Sequence, residues 1–498
     1  MDSGFVHTLL DDAASAAPES SAVRDSKGAW NYFRLACYSH AFNSWLETQG
    51  VRRGDRVLTQ LPTTRELTAM FYGTSRRGAV FVPLNPSMKT YHLRKVLENS
   101  EPRLIIVADE SVESMREIAS VPVHGIGSVW CEIQELAKEA RTEAVEADPN
   151  DVAVLVYTSG STAAPKAVVC PHAQMVFATT AIAAELKYRP DDVIFCRFPI
   201  SWDYGLYKVL LSCLARSELV LADGESDLVL LKRIRETGAT VVPIVPSLAA
   251  MITTLAKRET EPAPRVRMFT NTGAALSRVT IEALRASFPG AQVIRQFGQT
   301  ECKRISILPP EMEQEKPDSV GRPLPGTRVL ILDEDGLPVP TGHTGEIVVT
   351  GPHVMPGYWR SPELTERTFR RCAKDGTLRL HTGDYGRLDS DGYLFYEGRR
   401  DDMFKRKGIR MSTIEIEAAA TDIPGVRAAA VLPPAENRDL ALFVETDLSP
   451  HAVLREMAKR LESAKVPSIC RRVTEIPLTL HGKNATKELE VLVNGSAQ

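Results

Sequence analysis

Residues 158 to 167 read Thr-Ser-Gly-Ser-Thr-Ala-Ala-Pro-Lys-Ala, which puts four hydroxyl side chains, a glycine and a lysine within ten positions. Hydroxyls and backbone N–H groups at the end of a strand can surround phosphate oxygens, while a lysine supplies a point charge. The apolar run from Val152 to Tyr157 has the length and β-branched content of a buried strand that would deliver the stretch to a sheet edge. A Walker loop is excluded, because that motif needs Gly-x-x-x-x-Gly-Lys-Ser/Thr and here the lysine follows Pro165. On composition alone, a Ser/Thr-rich surface turn is the competing reading.

Further motifs follow in a fixed order: NTGAALS at 271, FGQTE at 297, GEIVVTGPHVMPGYW at 345, HTGDYGRLDSDGYLFYEGRRDD at 381 and PLTLHGK at 477. With GVRRGDRV at 50 and GAVFVPLNP at 78, they resemble the adenylate-forming superfamily of acyl-CoA synthetases, luciferases and amino-acid adenylation domains over nearly the whole chain. The resemblance implies a two-step ligase using ATP and Mg²⁺. A carboxylate attacks the α-phosphate, pyrophosphate leaves, and a thiol then takes the acyl group from the adenylate. Both steps need charge stabilisation more than acid–base work.

The same resemblance implies roles residue by residue. Thr158, Ser159, Gly160, Ser161, Thr162 and Lys166 would hold the β- and γ-phosphates. Thr300 would contact phosphate and Glu301 would ligate the metal, a single carboxylate being what Mg²⁺ usually accepts beside a nucleotide. Asp384 would bind the ribose hydroxyls, Phe297 and Tyr396 would flank adenine and ribose, Gly273 and Ala274 would pass close to the adenine, and Arg399 would reach the ribose or phosphates. Asp401 would be the hinge of a turning C-terminal domain, and Lys483 the lysine that domain brings to the substrate carboxylate and α-phosphate. Read singly, Glu301 is a surface glutamate, Asp384 a turn residue and Lys483 a solvated lysine. The family usually has glycine where this chain has Ala163 and Ala167, and alanine at positive φ costs about 1 kcal/mol.

The segment FPISWDYGLYKVLLS at 198 is where the family lines its acyl pocket. Asp203 matches an aspartate that pairs with the ammonium of an amino-acid substrate, the alternatives being a helix cap or a pair with Lys208. Arg304 suggests a second anionic group on the substrate, though a protein acid would serve it equally. Trp202, Tyr204, Tyr207, Thr272 and Gly298 complete a compact, partly polar pocket. Stand-alone enzymes that adenylate β-amino or dicarboxylic amino acids for natural-product assembly fit best, the runner-up being an acid:CoA ligase. Since the chain runs only 15 residues past Lys483, the thiol is expected from a separate carrier protein or from coenzyme A, with Gly408 and Arg410 near its channel.

The elements that must position these residues are legible as pattern. Apolar runs such as TVVPIVP (240–246) and VRMFTNTG (266–273) alternate with amphipathic segments such as SRVTIEALRASF, which argues an α/β fold with parallel-rich sheets flanked by helices. From Thr327 closely spaced strands and turns predict a β-rich subdomain over about 325–400 within an N-terminal domain of 1–400. RRDDMFKRKG then reads as a linker or a solvated helix face ahead of a small, mobile α+β domain over 401–498. At 498 residues several domains are expected. A net charge of −3 gives no footprint for nucleic acid or anionic membrane. Eight scattered cysteines without a Cys-x-x-Cys pair, no signal peptide and no run of roughly 18 apolar residues point to a reducing cytoplasm.

Overall fold

A computed structural model describes residues 4–138, 147–158, 166–222, 224–259, 261–399, 403–406, 409–435, 438–461, 463, 465–478 and 484–494. The expected α/β architecture is present. Five strands, Val193–Cys196, Glu218–Leu221, Val241–Ile244, Met268–Asn271 and Gln292–Phe297, run parallel in the middle of a nine-stranded sheet, together with Ser21–Asp25. Antiparallel strands close both edges: Gly28–Asn31 on one side, Ser306–Leu308 and Arg322–Pro323 on the other. A six-stranded sheet is ordered Val123–Gly125, Leu104–Val107, Arg56–Gln60, Val80–Leu84, Val152–Thr158, Lys166–Pro171, parallel except for the last pair. Near-continuous apolar strands such as Leu-Ile-Ile-Val at 104 suit such sheets because helices cover both faces.

Each of the expected crossover helices follows its strand. Pro246–Ala256 succeeds Val241–Ile244, and Arg278–Ser287 succeeds Met268–Asn271, its start fixed by Ser277, whose Oγ accepts a hydrogen bond from the Thr280 N–H at 3.2 Å. The helices Tyr32–Thr48 and Arg65–Arg76 pack closely, and they meet at Gly73, where a Cβ would lie 2.6 Å from the Ser39 carbonyl oxygen. Only glycine allows that approach.

The change of texture at Thr327 marks a five-stranded antiparallel sheet built from Arg328–Leu332, Gly345–Thr350, Phe369–Arg371, Leu378–Leu388 and Leu394–Arg399. Beyond it the connector differs from expectation. Met403–Arg406 and Ile409–Ser412 form an antiparallel ribbon, neither open linker nor helix face. Arg406 is buried: its guanidinium donates to Asp439 at 2.8 and 2.6 Å and to the Val466 carbonyl at 2.9 Å. The expected helix follows at Thr413–Thr421, then a sheet of Val426–Leu432, Ala441–Thr446 and Ile469–Arg472. Among the described residues no helix is long and apolar enough to cross a membrane.

Candidate active site

The hydroxyl-rich stretch joins two neighbouring strands. Val152–Thr158 pairs antiparallel with Lys166–Pro171, with Thr158 opposite Lys166, so the two ends of the stretch are held together at one edge of the six-stranded sheet. Ser159, Gly160, Ser161, Thr162 and Ala163 lie outside the described residues, as do Asp401, Gly408 and Lys483. Ala167 sits inside the second strand opposite Tyr157 and is not among the residues with positive φ, so its side chain imposes no backbone strain there.

Lys166 points at Glu301. Its Nζ lies 3.2 Å from Glu301 Oε1 and 3.0 Å from the Tyr358 hydroxyl, which itself donates to Glu301 Oε1 at 2.7 Å. Glu301 is buried, not a surface residue. Burial works against its charged form, but the Lys166 ammonium and the Tyr358 hydroxyl outweigh it and hold the carboxyl below its ordinary range. Among the described residues, no group of three or more His, Cys, Asp and Glu could hold a metal unaided.

Glu301 stands in a tight loop after Gln292–Phe297. The Lys303 N–H donates to the Gln299 carbonyl at 2.7 Å and the Ile305 N–H to the Phe297 carbonyl at 2.8 Å. A Cβ on Gly298 would lie 2.4 Å from the Lys303 carbonyl oxygen, so the loop closes only over glycine. Lys303 takes a left-handed backbone, φ +64°. In a non-glycine residue such strain commonly marks a functional position. Thr300, the expected phosphate contact, is part of the same loop.

The nucleotide candidates converge from two sheets. Parallel strands Val241–Ile244, Met268–Asn271 and Gln292–Phe297 end side by side, which brings Thr272, Gly273 (φ +88°), Ala274 and Phe297 to one sheet edge. Asn271 Nδ2 braces the turn by donating to the Ala274 carbonyl at 2.8 Å. Carboxyl ends of parallel strands are where α/β folds bind ligands. From the antiparallel sheet, Tyr396 brings its ring to 5.0 Å from that of Phe297. Asp384, buried in Leu378–Leu388 and opposite Arg399 in register, accepts from the Arg399 Nε at 3.1 Å. It is a strand residue, not a turn residue.

The acyl-pocket candidates surround the helix Asp203–Ala215. Asp203 is its first residue, where the helix dipole favours a carboxylate, while the cap is Trp202 and makes no side-chain capping bond. No Asp203–Lys208 ion pair is present among the described residues, because the Lys208 ammonium goes to the Tyr188 hydroxyl at 3.0 Å. Gly205 lets the helix approach Phe198 and Pro199, whose carbonyl oxygens lie 2.3 Å from the place of its missing Cβ. Arg304 is buried without a carboxylate partner among the described residues. Its Nε donates to Gln296 Oε1 at 3.0 Å and its Nη1 to the Lys303 carbonyl at 2.6 Å. Lys303 Nζ sits 3.5 Å from Cys170 Sγ and 5.3 Å from the centre of the Tyr207 ring. The Tyr204 ring has Lys208 Nζ at 4.8 Å and the Arg304 guanidinium carbon at 5.2 Å from its centre. The buried Tyr207 hydroxyl has no hydrogen-bond partner among the described residues, and burial raises its pKa, with Cys170 and Asp203 adding to the rise and Arg304 opposing it.

Two participants, Lys303 and Tyr358, escaped the sequence reading, and Lys208 entered it only as a partner for Asp203. Lys303 immediately precedes Arg304, and Lys208 stands among apolar residues in the middle of its helix. Tyr358 lay inside a quoted motif, GPHVMPGYW, without a role.

A model of the AMP-binding enzyme family matches residues 10–359. The chain belongs to the AMP-binding enzyme family. AMP-forming ligase chemistry, with ATP as a substrate, comes with that membership. The chain is 27% identical over 486 residues to one of the plipastatin synthase subunits of Bacillus subtilis (strain 168), covering 95% of this chain and 18% of that far longer protein. Among solved structures it is similar to VinN in complex with L-aspartate, 54% identical with a TM-score of 0.74, over 79% of this chain and 98% of that one. It is also similar to ATP-bound MatB from Rhodopseudomonas palustris, 25% identical with a TM-score of 0.86, over 99% of both chains.

Proposed function

We propose that the chain adenylates a small amino acid bearing a second carboxylate and passes the acyl group to the phosphopantetheine thiol of a separate carrier protein. The observation that carries this reading is the charge of the acyl-pocket wall. Lys303 and Arg304 are buried against Tyr207 and Tyr204 of the helix that begins at Asp203, and neither has a carboxylate partner among the described residues. Uncompensated buried charge costs several kcal/mol, so an occupant with two carboxylates and an ammonium complements the wall, while a simple aryl or fatty acid leaves it unmatched. The similarity to VinN, which was solved with L-aspartate and with 3-methylaspartate, supports the same class.

In this reading Asp203 accepts from the substrate ammonium, Arg304 and Lys303 hold the carboxylate that is not activated, and Trp202, Tyr207, Thr272 and Gly298 shape the pocket. The other carboxylate is thereby aimed at the α-phosphate. Its oxygen bonds to phosphorus as the bond to pyrophosphate breaks, and the chain's contribution is alignment and charge stabilisation. Thr158, Lys166, Thr300 and the hydroxyls of the intervening loop hold the phosphates, Asp384 and Arg399 hold the ribose side, and Phe297, Tyr396, Gly273 and Ala274 enclose the base. Glu301 suits a magnesium ion, being a buried carboxylate that belongs to no group of three or more His, Cys, Asp and Glu among the described residues, as fits an ion held mainly by phosphate and water. Bound there, the ion would neutralise phosphate charge. Residues 401–498 act as the body that turns about Asp401 and delivers Lys483.

The test is substrate-dependent exchange of labelled pyrophosphate into ATP across α-amino, β-amino, dicarboxylic amino and aryl acids, for wild type and Asp203→Ala. Exchange is expected chiefly with the dicarboxylic amino acids and to be lost in the variant. Equal exchange with acids lacking an amino group overturns the substrate reading, and thioester formation with free coenzyme A but not with a carrier overturns the acceptor.

A further inference from the structure

Among the described residues, Tyr358 is the one that hydrogen-bonds to both ends of the Lys166–Glu301 pair. Its hydroxyl is 2.7 Å from Glu301 Oε1 and 3.0 Å from Lys166 Nζ, and Lys166 Nζ also stands 4.5 Å from the centre of its ring. The segment carrying it is stitched between the two elements that bear its partners. The Met355 N–H donates to the Glu301 carbonyl at 2.9 Å. On the other side, the Val169 N–H donates to the Gly357 carbonyl at 3.0 Å and the Trp359 N–H to the Ala167 carbonyl at 2.9 Å. The Tyr358 N–H donates to Thr365 Oγ1 at 3.0 Å, and Gly357, at φ +153°, faces Thr365 so closely that a Cβ would lie 2.4 Å from its methyl group. With its ring edge-on to Phe369 at 5.4 Å, the tyrosine has little freedom to move its hydroxyl elsewhere.

That arrangement poses a problem for nucleotide binding. Glu301 is buried and shares Lys166, yet the proposed function sends Lys166 to phosphate and Glu301 to the cation. When Lys166 leaves, the buried carboxylate keeps only the donors that do not move. We propose that Tyr358 is a positioning residue of the nucleotide site: its hydroxyl closes the Lys166–Glu301 pair in the free enzyme and remains on Glu301, aiming the carboxylate, when the phosphates draw Lys166 away. The inference rests on the reading of Lys166 as a phosphate ligand and Glu301 as the magnesium ligand.

The experiment compares wild type, Tyr358→Phe and Glu301→Gln, all full-length. Binding of α,β-methylene ATP is measured by calorimetry over a range of Mg²⁺ concentrations with no acid present, alongside thermal midpoints and pyrophosphate exchange. Phenylalanine keeps the ring contact with Phe369. In Tyr358→Phe, loss of one hydrogen bond to a charged group is expected to weaken nucleotide affinity roughly 10- to 100-fold and raise the Mg²⁺ requirement, with the KM for the amino acid unchanged. A lowered thermal midpoint with unaltered nucleotide affinity and Mg²⁺ dependence makes Tyr358 merely structural and overturns the proposal. If Glu301→Gln alters Mg²⁺ dependence while Tyr358→Phe does not, only the role of Tyr358 falls. If neither does, the assignment of Glu301 falls with it.

Discussion

Lys208 offers a test of the pocket's electrostatics that needs no substrate. The residue is 1% exposed, and its pKa is pushed from the ordinary 10.5 down to about 7, first by burial and then by the Arg304 cation, with Cys196 working the other way. Replacing it by methionine keeps the volume and removes the titration. For a lysine with a depressed native pKa, the unfolded chain carries a proton between pH 7 and 10.5 that the folded chain lacks. Stability therefore rises with pH through that window, by about 1.4 kcal/mol per pH unit. The destabilisation is complete below pH 7 and gone above 10.5. From pH 7.5 to 9.5 wild type should gain about 2–3 kcal/mol that Lys208→Met does not.

A chain of this length does not unfold as a single two-state unit, so the assay is the midpoint of thermal unfolding, scanned at one rate for both proteins across that pH range. At roughly 1–2 °C per kcal/mol for a cooperative unit of several hundred residues, the variant's midpoint relative to wild type should fall by about 3–5 °C as the pH rises. Adding Arg304→Met to both proteins should move the low-pH end of the window upward, because one source of the depression is gone. A midpoint difference that stays constant with pH would mean that Lys208 remains charged in the folded protein and would refute this reasoning.

Arg304→Gln should lower kcat/KM for a dicarboxylic amino acid by roughly 10- to 150-fold more than for its monocarboxylic analogue, since a charge-assisted contact with the second carboxylate is lost; paired pyrophosphate-exchange measurements check it. Asp384→Asn should raise the KM for ATP about tenfold or more while leaving the KM for the amino acid unchanged, as nucleotide titrations in the same exchange assay would show. Gly298→Ala forces a Cβ to 2.4 Å from the Lys303 carbonyl, so the loop must open and displace Glu301 and Arg304 together. Affinities for nucleotide and amino acid should both weaken while circular dichroism stays native; loss of only one would contradict a shared loop.

Where the chain obeys its apolar pattern, the sequence was enough to find the fold. Runs such as Val-Val-Pro-Ile at 241 and Met-Phe-Thr-Asn at 268 became adjacent parallel strands, and Ser277 became the helix cap that its type suggests. The pairing of Met403–Arg406 with Ile409–Ser412 was missed because what fixes Arg406 lies far along the chain, at Asp439 and the Val466 carbonyl, and a run of charges carries no trace of such partners. The same holds at the site. Arg304 was placed in the pocket by resemblance. Lysines read as surface residues by type, yet Lys208 and Lys303 are buried, and Tyr358 acquires meaning only from partners 57 and 192 positions away. These failures share a physical cause. Pattern reading locates the residues that gain by leaving water, whereas a binding site keeps groups that lose by it. A buried lysine and a buried arginine without an acid partner among the described residues oppose folding, and in the proposed function an anionic occupant supplies the missing compensation. The burial of the cations at residues 303 and 304 is therefore itself the structural argument for the proposed occupant.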